Sequence, residues 1–240
     1  MNSRVNLTQK IVTLDSSKRL YGSTSSFSVK GNIPQVNAFN RASVIMCQVP
    51  KSYYSSDVAL TGQINGAGVV TLPTGKFWSA SSLAVDLAAA MGAPYTVVYD
   101  SVTGKMTIGN GGSGAFTFRA DDALLAKYLG LVAGVVYASD GSDEIVSVNI
   151  VDMQRYGSLF VTCSIIKNNN DNRLVSLFPG GTPNLAFMGY SSPAMDLGSV
   201  NVVNSSTDVI NVQVVDEDGK EVELNGVNCR VMLTLYNEAD

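Results

Sequence analysis

The chain has 240 residues, 45% of them hydrophobic, with 16 basic against 20 acidic side chains and no histidine. That apolar share can build a core and excludes global disorder. The missing histidine excludes Ser-His-Asp triads, imidazole-ligated zinc and histidine acid–base catalysis.

Taken in chain order, residues 1–25 read as a polar N-terminal arm with one short strand at 10–14. Two turn-rich runs follow, Asp15-Ser16-Ser17-Lys18-Arg19 and Gly22-Ser23-Thr24-Ser25-Ser26. A strand is expected at 27–30. Residues 41–49 alternate with apolar side chains on both faces, Ala42, Val44 and Met46 against Ile45, Cys47 and Val49. That is the pattern of a strand buried in a sandwich, and Pro50 stops it. Another strand lies at 68–72. From Ser79 to Met91 the period becomes helical, with Leu83, Leu87, Ala90 and Met91 on one face. Serines cap its start, and Gly92 and Pro94 follow its end. A hairpin pairs 95–99 with 105–108 around the turn 100–104. A glycine loop at 109–114 and a strand at 115–119 come next. A second short helix is expected over 121–128, opened by Asp121 and Asp122 where the helix dipole favours them. The remainder reads as strands at 145–151, 158–166, 174–178, 200–203, 209–215, 221–224 and 229–236. The expected fold class is all-β: a single jelly-roll β-sandwich over 26–240 with two short inserted helices, and the arm over 1–25 outside its core.

Candidate chemistry is thin. Gly109-Asn110-Gly111-Gly112-Ser113-Gly114 looks like a phosphate cradle, but such loops open a helix, and here Phe116 and Phe118 continue as a strand. Asp216-Glu217-Asp218-Gly219-Lys220 lacks the glutamate that a calcium loop needs at its twelfth position, which falls on Val227. A hairpin turn explains it better. Asp140-Gly141-Ser142-Asp143-Glu144 reads as a solvated acidic loop. Cys47, Cys163 and Cys229 lie in apolar runs without metal or disulfide spacing, so buried, reduced thiols are expected. No signal-peptide core opens the chain, and no apolar run is long enough to span a membrane. No enzymatic activity, catalytic residue, cofactor or metal site is expected.

Several segments carry a further signal in their order. Leu14-Asp15-Ser16-Ser17-Lys18-Arg19 and Phe27-Ser28-Val29 are followed by Asn32-Ile33-Pro34 and by Asn40-Arg41-Ala42-Ser43-Val44. Val49-Pro50-Lys51-Ser52-Tyr53-Tyr54 precedes Thr71-Leu72-Pro73-Thr74-Gly75-Lys76-Phe77, the helix at Ser82-Leu83 and the hairpin from Tyr95 to Ile108. Tyr128-Leu129-Gly130-Leu131, then Asp216 to Gly219 with Glu223-Leu224-Asn225-Gly226, complete the set, and residues 140–200 carry none of it. Together these resemble the single jelly-roll minor capsid or penton proteins of large double-stranded DNA viruses, virophages and polinton-like elements. The resemblance implies a structural virion protein, a homopentamer at the icosahedral fivefold vertices, beside the major capsid protein and other minor capsid proteins. The arm would pack on a neighbouring chain. Charged residues reach only 15%, against roughly 25% in typical soluble domains, which suits a subunit with a large buried perimeter. The acidic balance points to contact with protein, with no direct nucleic acid and no membrane insertion. The alternatives are a minor cement protein and a receptor- or carbohydrate-binding β-sandwich at a spike or fibre base. For the latter, Trp78, Tyr53, Tyr54 and Tyr190 are the aromatic candidates. A cupin-like enzyme would lack its histidine ligands.

Overall fold

The computed structural model describes residues 9–31, 33, 39–166, 172–192, 199–202 and 208–237. Residues 1–8 of the expected arm, Asn32, Pro34 and Val203 lie outside them. The chain opens with β1 (Gln9–Asp15), a 3-10 turn (Ser16–Lys18), β2 (Tyr21–Gly22), β3 (Ser26–Lys30) and β4 (Arg41–Pro50). It continues through β5 (Leu60–Ile64), β6 (Gly68–Leu72), α1 (Ala80–Met91), β7 (Thr96–Asp100), β8 (Lys105–Gly109), β9 (Thr117–Ala120), α2 (Ala123–Leu129), β10 (Tyr137–Ala138) and β11 (Glu144–Val146). It closes with β12 (Leu159–Cys163), β13 (Arg173–Leu177), β14 (Phe187–Ser191), β15 (Val200–Asn201), β16 (Val209–Val215) and β17 (Arg230–Tyr236). Two compact units result, residues 1–53 with 156–240, and residues 54–155. The single domain expected over 26–240 is thus a sandwich whose sequence is interrupted by a second body.

In the first unit, one sheet has the order β1-β17-β4-β14, with β15 beside the start of β4, and the other runs β13-β12-β16-β3-β2. Eight principal strands in chain order are β1, β3, β4, β12, β13, β14, β16 and β17. The first, eighth, third and sixth form one sheet; the second, seventh, fourth and fifth form the other. That is the two-Greek-key order of a jelly roll. Alternation makes the core: in β16, Ile210, Val212 and Val214 are buried while Asn211 and Gln213 face out. Inward residues of both sheets meet in one cluster, including Leu14, Val44, Val231 and Leu233 from the first and Phe27, Val29, Leu159 and Val161 from the second.

The arm is the largest correction. All seven residues of β1 pair antiparallel with β17, from Gln9 opposite Tyr236 to Asp15 opposite Arg230. Val12 and Leu14 are buried. The short strand expected at 10–14 is present, and what changes is its place: it is an edge strand of the sandwich and contributes to its core. Two other expectations shrink. The strand at 221–224 is a single bridge, Val215 to Glu221, and the strand at 145–151 ends at Val146. There the Ser147 hydroxyl donates to the Asn149 carbonyl at 2.9 Å and turns the chain.

The second unit holds both helices. Its two small sheets, β10-β9-β5-β6 and β11-β8-β7, pack with them around a separate core that includes Trp78, Leu83, Leu87, Phe118, Tyr128 and Leu129. α1 starts as expected, with Ser79 and Ser82 forming a reciprocal capping box. α2 starts at Ala123, later than expected, because both acidic residues are used elsewhere. Asp121 accepts from Arg119 at 2.6 Å, and Asp122 accepts from the Thr61 amide at 2.5 Å and hydroxyl at 2.9 Å. Gly130 ends α2 with φ +67°, where a Cβ would lie 2.3 Å from the Asn149 carbonyl oxygen. Only glycine fits that position. Arg155, at the close of the unit, forks onto Asp57 and donates to the Tyr54 carbonyl at 3.1 Å near its start.

Candidate functional site

The loops that resemble chemistry in sequence are tied up by their own backbones. In the glycine loop, Asn110 is buried; its side chain donates to the Gly114 carbonyl and accepts from the Ser113 amide at 2.8 Å. No helix follows the loop; the next element is β9. At the acidic turn, Asp216 accepts from the amides of Asp218 at 3.0 Å and Lys220 at 2.9 Å. Glu217 accepts from the Ser158 amide at 2.7 Å. The Asp140 carboxylate accepts from the Ser142 amide at 2.8 Å and the Glu144 amide at 3.2 Å. Among the described residues, no group of three or more acidic or sulfur side chains is gathered as metal ligands would be.

The aromatic candidates are internal. Trp78 is buried and its indole N–H donates to Asp86 at 2.8 Å. Tyr53 is buried edge-to-face against Tyr156, with ring centroids 4.9 Å apart. Tyr54 tilts against Phe77 at 5.0 Å, and Tyr190 is half-buried against the sandwich core. Buried as they are, Trp78 and Tyr53 offer no platform for a ligand. The three cysteines are free and buried, as their alternation implies. Burial pushes each thiol up to about 12, helped for Cys47 by nearby Cys229. Thiolate, the reactive form, is therefore scarce at mildly alkaline pH. A thiol reagent should leave all three unmodified in native protein and modify all three once denaturant is added; prompt labelling of any one under native conditions would contradict this packing.

The outward face of the second sheet is mostly polar, with Arg173 opposite Thr162 and exposed Lys30 at the end of β3 as its charges. Register places Thr162, Gln213 and Ser26 in one row and Ser164, Asn211 and Ser28 in the next. Neighbours bond across it: Ser28 to Asn211 at 2.6 Å and Gln213 to Ser26 at 3.2 Å. Apolar side chains escape elsewhere, at Phe178, Leu185 and Phe187 around the connection from β13 to β14. Lys51 fixes that connection. Its ammonium donates to the carbonyls of Pro179 at 3.2 Å and Thr182 at 2.7 Å, and burial pulls its pKa down.

Phe187 borders a cleft of about 340 Å³ on the first sheet, shared with Asp15, Ser17, Gln48, Asn228, Cys229 and Arg230. Its floor is one row of the sheet: Asp15 opposite Arg230, Arg230 opposite Gln48, Gln48 opposite Gly189. Asp15 orients the guanidinium, accepting from its Nε at 3.1 Å and Nη2 at 2.9 Å through one oxygen. The other oxygen accepts from the Ser17 amide at 2.9 Å and hydroxyl at 2.6 Å. Burial raises the pKa of this carboxyl, but the Ser17 and Arg230 donors outweigh it and hold the group below its ordinary value. Ser16 Oγ donates to Asn228 Oδ1 at 3.0 Å, fixing that carboxamide. Sequence reasoning missed this set, which comes from four separate stretches of chain.

No protein-family profile and no curated protein matches the sequence. Among solved structures, the chain is similar to the crystal structure of the selenomethionine-labelled mavirus penton protein, with a TM-score of 0.53 and 10% sequence identity. The alignment covers 96% of this chain and 100% of the other. The two share a fold, and the jelly roll read from the strand order agrees with it.

Proposed function

We propose that this chain is a structural, non-enzymatic capsid subunit, the penton that forms homopentamers at the fivefold vertices of an icosahedral virion. The carrying observation is the extent of the likeness to the mavirus penton protein, which spans the inserted unit as well as the sandwich. A jelly roll alone would not discriminate, since capsid, lectin and cupin domains share it. A fivefold ring needs two different flanks that fit each other. The low share of charged residues in the whole chain, 15%, supports that reading, because charged residues are depleted at interface cores. Its partners are further copies of itself, then the major capsid protein and other minor capsid proteins, with no direct contact to nucleic acid. Light scattering on the purified full chain should give a stable species of five times the 25.3 kDa chain mass. A monomer at every concentration would overturn the vertex role and favour a cement protein.

A further inference from the structure

We propose that the cleft bordered by Phe187 binds a single neutral pyranose sugar. Phe187 is 55% exposed, and a solvent-facing ring gives the C–H face of a sugar an apolar wall to stack on. Around it stand the side chains that read hydroxyls. Gln48 and Asn228 each offer a donor and an acceptor on a planar amide, and the Asn228 amide is oriented by Ser16. Arg230 adds donors in a fixed orientation, because Asp15 holds its Nε and Nη2. Sugar hydroxyls both donate and accept, so a mixed set of this kind suits them better than it suits an ion.

The charge balance selects a neutral ligand. Asp15 and Arg230 cancel each other, and among the described residues no other charged side chain borders the cleft. The volume of about 340 Å³ sits at the lower end of the roughly 300–1,000 Å³ of small-molecule sites, enough for one ring. Gly189 keeps the floor low beside Gln48: a Cβ added there would meet nothing within 4 Å. Arg230 and Asn228 are held before any ligand arrives, which lowers the ordering cost of binding. The site stands on the first sheet alone and does not depend on the penton reading.

Saturation-transfer NMR on the full chain tests it, with the methyl glycosides of glucose, galactose and mannose, and with N-acetylneuraminic acid as a charged comparison. Transfer to the ring C–H protons of at least one neutral glycoside is expected, and none to the acid. Phe187→Ala should weaken that binding about tenfold or more, the loss expected when a stacking wall goes, while Phe187→Tyr keeps it. Because the ring is exposed, Phe187→Ala should melt with the parent; should it not, exposed Gln48→Ala provides the second variant and must also weaken binding. The proposal is overturned by absence of transfer from all three glycosides, by unchanged binding in both alanine variants, or by preference for the acid.

Discussion

Removing residues 1–15 unfolds the sandwich instead of trimming a dispensable arm. The deletion strips β1 from the first sheet, exposing the edge of β17 along seven paired residues. It also takes Val12 and Leu14 out of the core and Asp15 away from Arg230. Leu14 is fully buried, and Leu14→Ala alone should cost about 2–5 kcal/mol. Total stabilities run to roughly 5–15 kcal/mol, so the point variant should survive weakened and the deletion should not fold. Denaturant titration followed by circular dichroism reads the first; loss of the cooperative transition, with aggregation through the bared edge, reads the second. A deletion that remains a folded, soluble monomer would show that β1 is an arm after all.

Residues 54–155, expressed alone, fold cooperatively. They carry their own core, both helices and two sheets. Their first and last residues are joined by the Arg155 contacts to Tyr54 and Asp57, so the excised piece keeps its ends together without the host. Dispersed amide resonances and a single sigmoidal melt are expected. Phe118 is fully buried, and Phe118→Ala should remove about 3–5 kcal/mol, enough to abolish that melt in a body of this size. A fragment without a cooperative transition would mean that the insert borrows its stability from the sandwich.

Strong periodicity was legible in the sequence, and weak or half-apolar periodicity was not. β16 falls at residues 209–215 as expected, because valines and isoleucine alternate cleanly with Asn211 and Gln213. α1 announces itself by a helical stripe and a serine cap. β5 is hidden in the sequence because Gly62 interrupts Leu60–Ile64, where an added Cβ would lie 2.9 Å from the Arg119 carbonyl oxygen and 3.0 Å from the Phe118 ring. β14 hides in the same way behind Gly189. The insert boundary has no composition signal; it rests on the pairing of residues 98 apart in sequence, Asp57 and Arg155. The Phe187 cleft was equally invisible, since strand register alone brings Asp15, Gln48 and Arg230 into one row.

The pairing of β1 with β17 also sets the order in which the molecule can be made. Gln9–Asp15 is synthesised more than two hundred residues before its partner, Arg230–Tyr236. Contacts of such separation carry the largest loop-closure cost and slow folding. The insert, a compact unit over residues 54–155, has no such wait and can condense during translation. The first sheet stays without its second strand until the C-terminal one emerges. A chain interrupted before Arg230 therefore holds a finished insert and an unfinished sandwich.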